Sequence, residues 1–190
     1  NHYLIDFVSP DERYSVSSFK KDAEKAIEAI LAKGKVPIIV GGTGLYIDSL
    51  ILGIEFQDEK IDTKYRESLN KIAEEQGLQK LYNMAQAIDP VAMKKISEND
   101  KKRIIRVLEI YHKTGKTKTE QELESRKSEI KYNYKLFAIT MDRQVLYEKI
   151  EKRVDKMIEQ GLIDEVQGIL NKYQKFPTAM QGLGYKEVVE

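Results

Sequence analysis

Cysteine is absent from this 190-residue sequence and histidine occurs twice. Without cysteine there is no disulfide and no thiolate metal site. With only His2 and His112, a histidine-rich metal centre is not expected either. Net charge is nearly absent as well, at +1. No global field draws nucleic acid, so any such attraction must come from a local patch. No apolar run approaches the roughly 20 residues that span a bilayer. The opening "NHYLIDF" has neither Met nor a basic n-region, so no signal peptide is expected. It reads as the interior of a domain, and "GLGYKEVVE" stops in mid-helix. A piece of a longer, cytoplasmic protein is the expectation.

What is present is an ordinary soluble composition, 41% hydrophobic and 33% charged. The length suits one domain, or one domain with a sizeable insertion. "HYLIDFVSP" reads as a short extended segment with a turn at Ser9-Pro10. A helix follows, capped by Ser17 or Ser18 and stopped by Gly34. Its apolar stripe is Phe19, Ala23, Ala26, Ile27, Ile30 and Leu31. Residues 36–40 form an apolar run without alternation, as in a parallel strand covered on both faces. From Asp62 to about Gly115 the pattern is helical throughout, with Asp89-Pro90 starting a short helix and Asn99 capping the next. Strand signal returns at 135–141, and two further helices follow. Helices set between strands predict an α/β core with an all-helical insertion.

Four stretches carry chemistry. In "KVPIIVGGTGLYIDSL" the run ends in Gly41-Gly42-Thr43-Gly44 and passes into a helix. Glycines allow positive φ and close approach, and the N–H groups of a helix start favour an anion. Thr43 either caps that helix or turns its hydroxyl to a ligand. Neither GxGxxG nor GxxxxGK[ST] is present. Gly115-Lys116-Thr117 copies the end of a P-loop, but Ile110 stands where the first Gly belongs. It reads as a helix end with a basic tail.

The third stretch is charge. Between Lys94 and Lys118 nine bases face three acids, a local +6. On helix 99–114, Ile104, Val107, Leu108 and Tyr111 should face the core. Arg103 and Arg106 then fall about 60° apart on its flank, suited to neighbouring phosphates. The plainer alternative is a solvated basic face. The fourth is Asp142-Arg143, where the second strand signal meets a helix. Ligands gather at such strand ends, but Asp142 can equally be a cap and Arg143 a surface residue. Gly182, Gly184 and Tyr185 read only as a close packing turn.

Taken in order, "HYLIDFVSPDERYSVSSFKKDA", "GKVPIIVGGTGLYIDSLILG", "DPVAMKKISENDKKRIIRVLEIYHKTGKT", "FAITMDRQVLYEKIEKRVDKMIEQGLIDEV" and "AMQGLGYKE" resemble the tRNA dimethylallyltransferases, also called tRNA isopentenyltransferases. The pairing of "PIIVGGTGLY" with a later "NDKKRIIRVLE" is specific to them. The resemblance implies a P-loop-kinase-like parallel-sheet core at 1–57 and 119–190, with a helical, tRNA-contacting insertion at 58–118. It implies transfer of a dimethylallyl group from dimethylallyl diphosphate to N6 of the adenine 3′ of the anticodon, flipped into a channel. Nucleotide (ATP) binding as a family trait, Mg²⁺ as cofactor, the tRNA anticodon stem-loop as partner, no membrane and a monomeric state are implied with it.

Carried over by position, Thr43 and Arg143 are the catalytic candidates, and Gly41, Gly42 and Gly44 line the substrate channel. Asn99, Asp100, Lys101, Lys102, Arg103 and Arg106 are the tRNA-binding candidates. No metal ligand is assigned. The family's P-loop and the Asp that serves as general base have no counterpart in these residues, so the chain is expected to be inactive alone. The alternatives are a catalytically silent RNA-binding fragment and a small-molecule kinase relative.

Overall fold

The computed structural model describes residues 2–56, 62–126 and 129–189. The insertion boundary expected at 57/58 lies outside them. The chain divides into two compact units, one of residues 1–42 with 133–190 and one of Thr43–Tyr132.

The helical reading of residues 62–115 holds. Helix α2 spans Gly44–Ile51, α3 Thr63–Gln76, α4 Leu78–Ile88, α5 Pro90–Met93, α6 Lys101–Thr114 and α7 Lys118–Ser125. Each start has a local cause. The Asp62 carboxylate accepts from the Tyr65 N–H, and Asp89 accepts from the Ala92 N–H with Pro90 in the first turn. The cap of α6 is Asp100, not Asn99: the Asp100 carboxylate accepts from the Arg103 N–H at 3.0 Å. Gly115, at φ 67°, ends α6 in the left-handed conformation that glycine adopts without strain.

Helix α7 was not expected. Thr117 opens it with a capping box: its hydroxyl accepts from the Glu120 N–H, and the Glu120 carboxylate accepts from the Thr117 N–H. The "basic tail" after Gly115 is therefore a helix N-terminus.

Helices α3, α4 and α6 share one core of Leu69, Leu81, Ala85, Ile104, Val107 and Leu108, joined by Met93 and Ile96. Each fully buried Leu or Ile contributes about 1.5–3 kcal/mol of transfer free energy. Tyr111, expected inside, is exposed, and Glu109, one of the three acids in the basic stretch, is buried.

The other unit contains α1 (Val16–Leu31), α8 (Arg143–Glu159), α9 (Leu162–Lys172), a 3-10 turn at Ala179–Gln181 and α10 (Tyr185–Val189). Ser15, rather than Ser17 or Ser18, caps α1, its hydroxyl accepting from the Ser18 N–H. Ala23 and Ile27 bury the α1 stripe, while Leu31 stays exposed. The opening segment is not extended, since Leu4 and Asp6 sit at φ 61° and 52°.

Among the described residues there is no strand. The two expected strands, 36–40 and 135–141, form no ladder, and they stand in water: Val40 is 90% exposed, Phe137 88% and Ile139 92%. A strand exists only where a neighbour takes its backbone hydrogen bonds. An apolar run alone does not supply that neighbour.

Candidate functional site

The glycine turn is the first element of the site. Thr43 occupies the N-cap of α2, at φ −81° and ψ 95°. Its carbonyl accepts from the Tyr46 N–H at 2.9 Å and the Ile47 N–H at 3.2 Å. Its hydroxyl makes no capping bond, so of the two roles open to it the cap is carried by backbone alone. Gly41, Gly42 and Gly44 do not use the left-handed region. A Cβ built on any of them would meet nothing within 4 Å. Three glycines leave this turn without side chains beyond Thr43.

Arg143 lies in the first turn of α8. The Asp142 carboxylate caps that helix, accepting from the Gln144 N–H at 2.9 Å. Arg143 Nε donates to the Tyr147 hydroxyl at 2.8 Å, and its guanidinium lies 5.3 Å from the same ring's centroid. The side chain is thus ordered along the helix surface and solvent-exposed.

The basic face belongs to α6. Arg103 and Arg106 are both exposed, on the flank the helical period predicts. Lys101, Lys102 and Arg103 crowd the first turn, where the helix dipole disfavours cations. Helix stability does not explain that placement. Asn99 and Asp100 sit just before it. Asp100 offsets part of the charge, with Arg103 Nε 3.3 Å from its Oδ2.

Part of the +6 is cancelled by helix α7. Lys116 Nζ lies 2.7 Å from Glu124 Oε2, and Lys118 pairs with Glu122. Counted through Glu124, nine bases face six acids, a net +3. The positive field therefore concentrates on Lys94, Lys95 and the start of α6, away from the segment that imitates a P-loop.

Two carboxylates are buried, Asp89 and Glu109, with long-range partners that sequence reasoning did not anticipate. Glu109 holds Arg66 of α3 with both oxygens, Nε to Oε1 at 2.5 Å and Nη2 to Oε2 at 2.8 Å. That bond keeps the Arg66 guanidinium's pKa above its ordinary value, against the opposing effect of burial. Arg106 Nη1 stands 3.9 Å from the same Oε2. Arg66 falls outside the basic window, and only the packing of α3 on α6 brings it to this face. Asp89, also buried, joins the start of α5 to Thr119 of α7. Burial opposes its charge, yet the hydrogen bonds from Ala92 and Thr119 outweigh it and hold its pKa below the usual carboxylate range. Beside them, Tyr65 stacks on His112 with ring centroids 3.8 Å apart.

Solved structures define the class. The chain aligns over 99% of its length with the full-length tRNA isopentenylpyrophosphate transferase of Bacillus halodurans, at 36% identity and TM-score 0.59, covering 57% of that chain. It aligns over 97% with a eukaryotic dimethylallyltransferase acting on tRNA, at 28% identity and TM-score 0.65, covering 46% of it. The structural neighbours are thus tRNA isopentenyltransferases.

The family pattern described as IPP transferase matches residues 1–190, and the chain belongs to that family. It is 50% identical over 189 residues to the tRNA dimethylallyltransferase of Acetivibrio thermocellus and 48% identical to that of Carboxydothermus hydrogenoformans. It spans 60% and 61% of those two relatives.

Proposed function

We propose that this chain is part of an enzyme that transfers a dimethylallyl group from dimethylallyl diphosphate to N6 of the adenine 3′ of the anticodon in tRNA. The observation that carries the reading is the family match over all 190 residues, together with half-identical relatives named for that activity. In the transfer, the carbon–oxygen bond to the diphosphate breaks and the carbon–N6 bond forms. N6 gives up a proton and pyrophosphate leaves. The protein's task is to hold the two substrates in line and to stabilise the charge that builds on the leaving group.

The residues of this chain suit parts of that task. The Thr43 hydroxyl, unused as a cap, donates to the departing diphosphate, and Gly41, Gly42 and Gly44 let it and the base come close. Arg143 is a second donor for the same anion. Asn99, Asp100, Lys101, Lys102, Arg103 and Arg106 meet the anticodon stem-loop, with phosphates on the two arginines. The apolar runs 36–40 and 135–141 are strands of a P-loop-kinase-like sheet in the longer, cytoplasmic protein, where neighbouring strands cover them.

Mg²⁺ fits this chemistry, since it binds substrate phosphates through few protein ligands. Among the described residues no group of three or more acidic or histidine side chains forms a metal cage.

The test is product formation. The parent protein, incubated with dimethylallyl diphosphate and a substrate tRNA, should yield prenylated adenosine on nuclease digestion. The 190-residue chain alone should yield none. A binding assay separates the readings: a silent RNA-binding protein would bind the stem-loop and modify nothing in either form.

A further inference from the structure

The buried carboxylate of Glu109 has two guanidiniums on it from two helices. Arg66 reaches it from α3, 43 residues earlier in the chain, with a two-point bond of 2.5 and 2.8 Å. Arg106 lies one turn before it on α6, at 3.9 Å. Glu109 is 8% exposed, while the Arg66 and Arg106 side chains are 37% and 44% exposed. An anion is thus sunk at the edge of the core with cations above it at the solvent boundary.

Stability is a poor reason for this arrangement. Desolvating a carboxylate is costly, and a packed apolar side chain in its place is often as stabilising or more so. Orientation is a better reason. Two arginines on separate helices repel each other, and each long side chain samples many rotamers in solution. A shared carboxylate offsets that repulsion, fixing the fork of Arg66 by two hydrogen bonds and drawing Arg106 to 3.9 Å by charge. The two-point bond engages two of the five N–H donors of Arg66.

We infer that Glu109 is a positioning residue for nucleic acid: it seats the Arg66 and Arg106 guanidiniums side by side as a pre-ordered contact for the sugar-phosphate backbone of the RNA. This rests on the tRNA reading above. It goes beyond it by giving a buried acid a part in binding an acidic polymer, through the geometry of its partners.

The sign of one substitution separates this role from simple charge. Glu109→Gln removes a negative charge, so Coulomb's law alone makes RNA binding tighter and its salt dependence steeper. Lost positioning makes binding weaker. Arg66→Lys keeps every formal charge but cannot form the two-point bond.

The experiment measures binding of the 190-residue chain to an anticodon stem-loop RNA across a salt series, with a thermal melt to verify folding of each variant. Glu109→Gln and Arg66→Lys should each weaken binding by about threefold or more, a range typical of partners in one ion-pair network. The double variant should be no weaker than the worse single one. Arg103→Glu with Arg106→Glu should abolish salt-dependent binding. If it does, and Glu109→Gln binds as tightly as the parent or tighter while Arg66→Lys is unchanged, the positioning role is overturned and the tRNA reading stands. If the Arg103 and Arg106 reversals leave binding intact, the tRNA reading falls and this inference with it. Should Glu109→Gln fail to fold, Arg66→Lys decides alone.

Discussion

Asp89 and Thr119, thirty residues apart, are joined by two hydrogen bonds. The Thr119 N–H donates to Oδ2 at 2.8 Å, and the Thr119 hydroxyl donates to Oδ1 at 2.7 Å. The same carboxylate caps α5 by accepting from the Ala92 N–H at 2.9 Å. One side chain thus ties the first turn of α7 to the start of α5. It also fixes Lys116 and Lys118, which flank the α7 cap, at the end of α6.

Asp89→Ala should therefore destabilise the helical unit by about 2–4 kcal/mol. The estimate combines a lost N-cap with the buried donors of Thr119 left without an acceptor. A fall in the urea midpoint with an unchanged slope checks it. A loss below about 0.5 kcal/mol would mean that water replaces the carboxylate without cost.

The same carboxylate makes stability depend on pH, and the sign follows from its lowered pKa. The unfolded chain takes up the Asp89 proton near the ordinary value of about 3.9, and the folded chain only below it. Asp89 thus contributes in full above the unfolded value. That contribution is lost as pH falls through the folded one. The urea midpoint difference between the parent and Asp89→Asn should be constant from pH 7 to 5 and shrink toward pH 3. A difference that grows on acidification contradicts the assignment.

Leu81 is fully buried where α4 meets its neighbours, in one core with Leu69 and Leu108. Leu81→Ala should cost about 2–5 kcal/mol, the transfer loss plus the cavity left behind. Leu123 in α7 is exposed, and Leu123→Ala should change stability by less than about 0.5 kcal/mol. Thermal melts of the two variants supply the contrast.

The helices were legible because their signals are local. Asp62, Asp89-Pro90 and Gly115 mark ends by chemistry that acts within one turn. The cap of α6 was misplaced by a single residue, since Asn99 and Asp100 are both good caps and only geometry chooses between them. Helix α7 is masked in the sequence because the "GKT" that holds its Thr117 cap also imitates the end of a P-loop, and the capping box shows only in the Thr117–Glu120 pairing. The strands expected at 36–40 and 135–141 rest on apolar content alone, and a ladder also needs a partner strand that no local pattern specifies. Of the candidate site, the glycine turn and the arginine spacing on α6 are readable from the sequence. The Arg66–Glu109 bond was not, because it joins residues 43 apart across a helix packing that no sequence window spans.

Thr43 gives the sharpest separation of structure from function. Its backbone carbonyl accepts the first hydrogen bonds of α2, while its hydroxyl makes no capping bond. Losing a capping hydroxyl ordinarily costs about 1 kcal/mol, but here there is no such bond to lose. Thr43→Ala should accordingly leave stability within about 0.5 kcal/mol of the parent. In the parent protein the same change should slow dimethylallyl transfer roughly 10- to 1000-fold, as loss of one donor to a developing anion does. tRNA affinity should hold, because the arginines of α6 are untouched. Thr43→Ser, which keeps the hydroxyl, should recover most of the rate. Melting curves, tRNA binding and single-turnover transfer on the three proteins supply the readouts. If Thr43→Ala lowers stability and activity together while Thr43→Ser restores both, the hydroxyl is a helix cap after all, and the diphosphate contact assigned to it falls.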